Sequence, residues 1–239
     1  MRYFTKEWYN DTLIADMCFQ LRKNEGASVY SEKFFEKLYA LEERAYQKYA
    51  KRNAKASKQS FDKNAVAQEF ANNYKENLEF VKANLPAGIL DVVKDVRVLA
   101  LGTATNDIAM QITRFCGKKN RLCEAKEREY NNASEEADEK ISPAVANCLL
   151  ALTGGEIATI ENRGEDAIFV FHPAQSLETK SLTLKNATLI ESDNNLAGAD
   201  VIKYELLLSD KGGFEFSVLA LSKDSSLLTA TYTSNSIEI

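Results

Sequence analysis

One histidine, one tryptophan, three prolines and four cysteines stand among 239 residues. The single histidine, His172, excludes multi-histidine metal sites, and any Ser-His or Cys-His nucleophile would depend on it alone. Three prolines and ten glycines are too few for a loop-dominated or collagen-like chain and leave room for long regular elements. Long apolar runs are missing too. The run Val96 to Leu101 is broken by Arg97, and none comes near the roughly 18 residues of a membrane helix. Met1–Asn10 has no apolar stretch behind a basic one, and no prenylation cysteine ends the chain. A cytoplasmic location is therefore expected. Cys18, Cys116, Cys123 and Cys148 fit neither a zinc ribbon nor a Cys-x-x-Cys pair, so reduced, buried thiols are expected and a Cys116–Cys123 bridge is not.

What is present is an ordinary globular balance: 45% hydrophobic and 27% charged residues, with a net charge of -5. The charge is uneven. Residues 1–152 carry 24 basic and 22 acidic residues, a net of +2, and residues 153–239 carry 6 and 13, a net of -7. Opposite bias of this kind suits mutual docking or an acidic face for a basic partner.

Periodicity changes at the same place. Before residue 153 apolar positions recur at three and four, and after it they alternate. Helices are expected from Thr5 to about Lys23, from Ser31 with a stripe of Phe34, Leu38, Leu41, Ala45 and Tyr49, and from Asp62 to Leu85-Pro86. A short buried helix is expected over Ile89 to Leu99. Another runs from Thr105 to a terminal Gly117, a charged one spans Lys119–Glu139 with a thin stripe of Leu122, Tyr130 and Ala133, and a last one begins at Ser142-Pro143. Candidate strands are Glu156–Glu161, Ala167–His172, Ser181–Lys185, Ala187–Glu191, Val201–Ser209, Phe214–Leu221 and Leu227–Thr233. Short polar links such as Asp210-Lys-Gly-Gly213 make consecutive strands antiparallel. The expected architecture is α+β, with a helical domain over 1–153 and an antiparallel β-meander domain over 154–239.

Motifs of chemistry are scarce. Val98-Leu-Ala-Leu-Gly102 lacks the glycines of a phosphate loop, and no P-loop, zincin or Gly-x-Ser-x-Gly elbow occurs. His172 stands at a strand end before Pro173, an ordinary place for a surface histidine. Glu127, Glu129, Glu135, Glu136, Asp138 and Glu139 read as a solvated helix face, because acid–base pairs need enclosure. The basic run Arg44, Lys48, Lys51, Arg52, Lys55 and Lys58 reads as a solvated helix end, without exposed aromatics spaced through it. The opening is dense in aromatics: Tyr3, Phe4, Trp8 and Tyr9. With Glu205 and Glu215 of the acidic part, these are the candidate partner-binding residues, because Trp and Tyr are common interface anchors.

Tyr3-Phe-Thr-Lys-Glu-Trp-Tyr9 resembles the opening of an uncharacterised bacterial family, domain of unknown function four thousand and eighty-five, found mainly in low-GC Gram-positive bacteria. Ser31 to Tyr39, Asp95 to Gly102 with Phe115-Cys116, and Tyr204 to Phe214 extend the resemblance along nearly the whole chain. Members of that family carry a His-Asp pair where the β part begins, and here that place reads Gly154-Gly-Glu-Ile157. The resemblance therefore implies no catalytic residue and no established activity. The β part is also similar in pattern to small β domains of bacterial immunity proteins, which bind and neutralise toxins. We accordingly expect a protein-binding module, immunity-like and non-enzymatic, with a protein partner, no membrane association, no nucleic-acid ligand, no metal and no cofactor. The alternative is a small-molecule-binding protein or enzyme with a site at the helical/β junction.

Overall fold

Ser31, Asp62, Asp95 and Ser142 each stand one residue before a helix and accept a backbone N–H from its first turn. Such caps satisfy donors that have no partner inside the helix. In the computed structural model they open α2 (Glu32–Ala56), α3 (Lys63–Asn84), α5 (Val96–Ala100) and α7 (Pro143–Leu152). Also present are α1 (Lys6–Met17), α4 (Ala87–Leu90) and α6 (Asn106–Asp138). The structure describes all residues except Cys18, Phe19, Gln20, Gln175, Leu177 and Asn194. The thiol expected at Cys18 and the stretch of the first helix over 18–20 lie outside the described residues. Cys116, Cys123 and Cys148 are buried thiols.

Helices come first and an eight-stranded antiparallel sheet second, so the fold is α+β. Several details depart from the sequence reading. The short helix expected over Ile89 to Leu99 is divided into α4 and α5. The N-terminal part is not wholly helical: β1 (Arg22–Lys23) pairs in parallel with β2 (Thr103–Ala104), because Gly102 at φ 71 turns the chain out of α5 into an extended run. The break expected at Gly117 is absent, and α6 runs through it as one helix of 33 residues. One helical glycine costs about 1 kcal/mol, less than the packing of the fully buried Cys116 and Ile112 beside it returns.

Change of element type and division into compact units do not coincide. One unit is Leu13–Asn120; the other joins Met1–Thr12 to Arg121–Ile239. In the first, α2 and α3 form a hairpin whose core holds Leu38, Phe70, Val98 and Leu101 with Phe35, Tyr39 and Tyr74 against them. Burial pushes the Tyr74 hydroxyl up to about 12. A second cluster gathers Val81, Leu85, Ile89, Leu99, Ile108 and Ile112. The stripe expected on α2 is shifted: Leu41 and Tyr49 are 57% and 64% exposed, and the inward residues are Phe34, Phe35, Leu38, Tyr39 and Tyr46.

The second unit is built on β3 (Glu156–Arg163), β4 (Asp166–His172), β5 (Lys180–Lys185), β6 (Thr188–Ser192), β7 (Asp200–Leu208), β8 (Phe214–Leu221), β9 (Leu227–Ser234) and β10 (Ser236–Glu238). Its order is β10-β5-β4-β3-β7-β8-β9-β6. The two ends of that order meet. β5 continues into β6 through Asn186 at φ 50, and β9 continues into β10 through Asn235. Lys185 faces Ser236 and Thr188 faces Thr233, so the register is unbroken across the kink, and Asn235 N–H donates to the Lys185 carbonyl at 2.9 Å. Two three-stranded meanders thus close into a barrel of six staves. Phe169 of β4 meets Phe216 of β8 and Tyr232 of β9 edge to face with centroids 5.4 Å apart. That contact is impossible across a flat sheet, where β4 and β8 stand three strand spacings of about 4.8 Å apart. The interior is filled: Ile157, Phe169, Phe171, Leu182, Leu184, Leu206 and Phe216 have no exposed surface. Leu149 and Leu152 of α7 join this core.

Candidate functional site

Alternation on β7, β8 and β9 sends Leu206, Phe216 and Ala230 inward and Glu205, Ser217 and Thr231 outward. The outward residues stand in register, and Glu191 of β6 extends their row. Chain segment 1–4 lies on that row. Glu205 is 1% exposed, yet it keeps its place because three backbone N–H groups converge on it: Arg2 at 2.8 Å to Oε2, and Tyr3 at 2.7 Å and Phe4 at 2.6 Å to Oε1. A buried carboxylate is tolerated when so satisfied. Ser217 and Thr231 hydroxyls bond each other at 2.9 Å. The Arg2 guanidinium forks onto both oxygens of Glu215, at 3.1 and 2.8 Å, which raises the guanidinium pKa. Lys6 bonds Asp193 at 2.8 Å and holds that carboxyl below its ordinary range.

The aromatics form the flank of the same clamp. Phe4 packs on Trp8 and Tyr130 with centroids 4.9 and 4.8 Å apart, and Tyr3 lies 5.9 Å from Tyr130. Lys203 Nζ stands 5.3 Å above Phe4 and 6.0 Å above Trp8. The Tyr130 hydroxyl accepts the Leu206 N–H at 3.2 Å, where β7 has diverged from β3, and burial pushes its pKa up. Two shallow clefts border this cluster. One, of about 440 Å³, is lined by Phe4, Glu127, Tyr130, Lys203 and Tyr204. The other, of about 410 Å³, is lined by Tyr3, Trp8, Cys123 and Lys126 among others.

All six candidate partner-binding residues therefore come together. Phe4, Trp8 and Glu205 are buried against their own unit, Glu215 is ion-paired, and Tyr3 and Tyr9 are half-buried beside them. His172 is exposed, with Nδ1 3.4 Å from Thr179 Oγ1. Glu129, Glu135, Glu136 and Asp138 are exposed along α6 and Glu139 just past its end, but Glu127 is half-buried; the inward stripe of α6 is Cys123, Tyr130, Ser134 and Ala137 rather than Leu122 and Ala133. Among the described residues no cluster of His, Cys, Asp or Glu could hold a metal ion, and no helix is long and apolar enough to cross a membrane.

The feature that sequence reading missed is the edge at β6. β5 pairs on both sides, but β4 begins at Asp166 and its last link to the kink is the Ala187 N–H on the Glu165 carbonyl at 2.6 Å. Beyond that point β6 is bonded to β9 alone, and among the described residues no strand takes its other edge. Every residue of β6 is exposed; Leu189 and Ile190 are 52% and 60% so. Glu191 and Glu165 stand exposed nearby, whereas Lys185 is bound to Asp166 at 2.6 Å. The run Ala187–Glu191 reads as a strand, but which strands end a sheet is decided by pairing, not by composition.

The chain matches no protein-family model, no curated protein and no solved structure.

Proposed function

We propose that the chain acts by binding another protein, and that its barrel takes an extended, basic segment of that partner along β6. The observation that carries this reading is the open β6 edge with Leu189 and Ile190 exposed on it. An unpaired edge offers a row of N–H and C=O groups that an incoming strand can satisfy, and such edges are ordinarily blunted by charge or proline. Here the charge beside the edge is acidic, at Glu191 and Glu165, within a part of net charge -7. Charge of that sign steers a basic segment and rejects an acidic one. An immunity-like role, in which an acidic surface occupies the basic site of a toxin, is the form of partner binding this charge favours.

Titration of the isotope-labelled protein with an alternating Lys/Val peptide tests the reading by amide shifts. Shifts confined to residues 187–193 and their β9 neighbours, lost in Leu189→Lys, are the expected result. An alternating Glu/Val peptide should leave the spectrum unchanged. Shifts elsewhere, or none at millimolar peptide, would sink the proposal. Concentration-dependent dimerisation through β6 would also count against it, since the occupant would then be a second copy.

A further inference from the structure

Arg44, Lys48 and Lys51 fall at i, i+4 and i+7 on α2 and so share one helix face. Phe61 and Lys63, from the link to α3 and its first residue, stand across from them and close a cleft of about 320 Å³ with Gln47. Arg52, Lys55 and Lys58 carry the charge to the tip of the hairpin. Residues 44–63 hold seven cations and one acid, Asp62. Asp62 Oδ1 already caps α3 through Asn64 and Ala65 N–H. None of the seven cationic side chains meets a carboxylate among the described residues. Attraction to the C-terminal dipole of α2 does not account for the cluster, because that field fades within the last turn and Arg44, Lys48 and Lys51 precede it.

One ring lies among these charges: Phe61, in the lining of the cleft. Sequence periodicity left Phe61 beyond the helix, so its place beside the cations became visible only with the fold. Tyr49, 64% exposed, lies on another face of α2, about 100° or more round the helix from Arg44, Lys48 and Lys51. Cations that follow a phosphate backbone, with rings on which unpaired bases stack, are the recurring apparatus for single strands. From Arg44 to Lys55 the helix rises about 17 Å, room for several nucleotides. A duplex would satisfy the charges but hide its bases from Phe61.

We propose that the basic tip of the α2–α3 hairpin binds single-stranded nucleic acid through charge and stacking, without reading base identity. This is a second site, separate in residues and in ligand from the β6 edge.

Fluorescence anisotropy of a short labelled oligothymidylate with the full chain, at rising salt, tests it. Binding should weaken with salt at a log–log slope of roughly -3, about -0.7 for each of the four phosphates met by the cleft cations. Lys48→Glu with Lys51→Glu should weaken it at least tenfold. Phe61→Leu, which keeps an apolar side chain and removes the ring, should weaken it about fivefold or more, equivalent to about 1 kcal/mol for one stacked base. Lys48 and Lys51 are exposed and Phe61 is half-buried, and unchanged circular dichroism and melting keep the comparison clean. No binding at low salt would overturn the proposal. So would equal affinity for a duplex or for heparin with Phe61→Leu indifferent, or preference for vesicles of anionic lipid, because each reduces the tip to a generic cationic patch.

Discussion

In the barrel unit Phe169, Phe216 and Tyr232 meet inside a closed ring of strands, where seven large side chains lose all exposure. In the helical unit Phe70, Tyr39, Tyr46 and Tyr74 also meet ring to ring, but along a groove of about 430 Å³ that Arg22, Glu42, Asn73 and Asn77 share. The two regions contain similar aromatics and use them differently. A closed barrel separates inside from outside at every second residue, so its polar face can be covered by segment 1–4 without ambiguity. A helical hairpin has a wide stripe with soft margins, and residues such as Leu41 and Tyr49 end on the solvent side. The barrel unit therefore stores its stability in a filled core and one clamped carboxylate, whereas the helical unit leaves aromatics and cations on its surface.

The largest expected effect is at the barrel centre. Phe216→Ala should cost about 3–5 kcal/mol, with a cavity that the surrounding staves cannot collapse into. Trp8, the only tryptophan, belongs to the same unit, so urea unfolding followed by its fluorescence reads this loss directly. Phe70→Ala, at the rim of a groove that water can enter, should cost only about 2 kcal/mol, below the usual range for a core phenylalanine. Equal losses at the two sites would remove the contrast.

Glu205→Leu should come next, at about 2 kcal/mol, because three N–H groups lose a charged acceptor. Glu215→Gln, whose arginine partner is half exposed, should stay within about 0.5 kcal/mol. If the two substitutions cost the same, the clamp is a surface ion pair and not a buried anchor. In the helical unit Asp62→Ala should cost about 1 kcal/mol through the lost cap.

The smallest effect expected is with pH. Lys6 holds Asp193 below its ordinary range, and Lys185 does the same to Asp166. For a lowered carboxyl the unfolded chain binds the proton first. The stabilisation is therefore complete above about pH 4 and lost as pH falls through the lowered values. Lys6→Ala should flatten the acid limb of the Trp8 unfolding curve, and an unchanged limb would show that the pair contributes nothing.

Much of the local structure was legible. The caps at Ser31, Asp62 and Ser142, the proline at the start of α7 and the bounds of β8 all depend on neighbours within a few residues, and each stands where the sequence puts it. Glu129, Glu135, Glu136 and Asp138 of α6 face solvent as read, whereas Glu127 is half-buried beside Lys203. The candidate site was legible as a set of residues but not as an arrangement. Phe4 and Glu205 are 201 positions apart, and no periodicity announces that a backbone N–H of one will meet the carboxylate of the other at 2.6 Å. Similarly, Gly117 looks like a helix end until burial on either side outweighs it.

By itself the sequence determined the α+β order, the absence of a multi-histidine centre, the charge contrast near residue 153 and most element boundaries. These rest on composition and on interactions of short range along the chain. Tertiary structure alone decided that the meander closes through Asn186 and Asn235, that Glu205 is an internal anchor, that β6 is left open, and that Phe61 shares a cleft with Arg44, Lys48, Lys51 and Lys63. Each of those outcomes turns on which distant residues compete for the same contact, and that competition is settled only when the chain is packed.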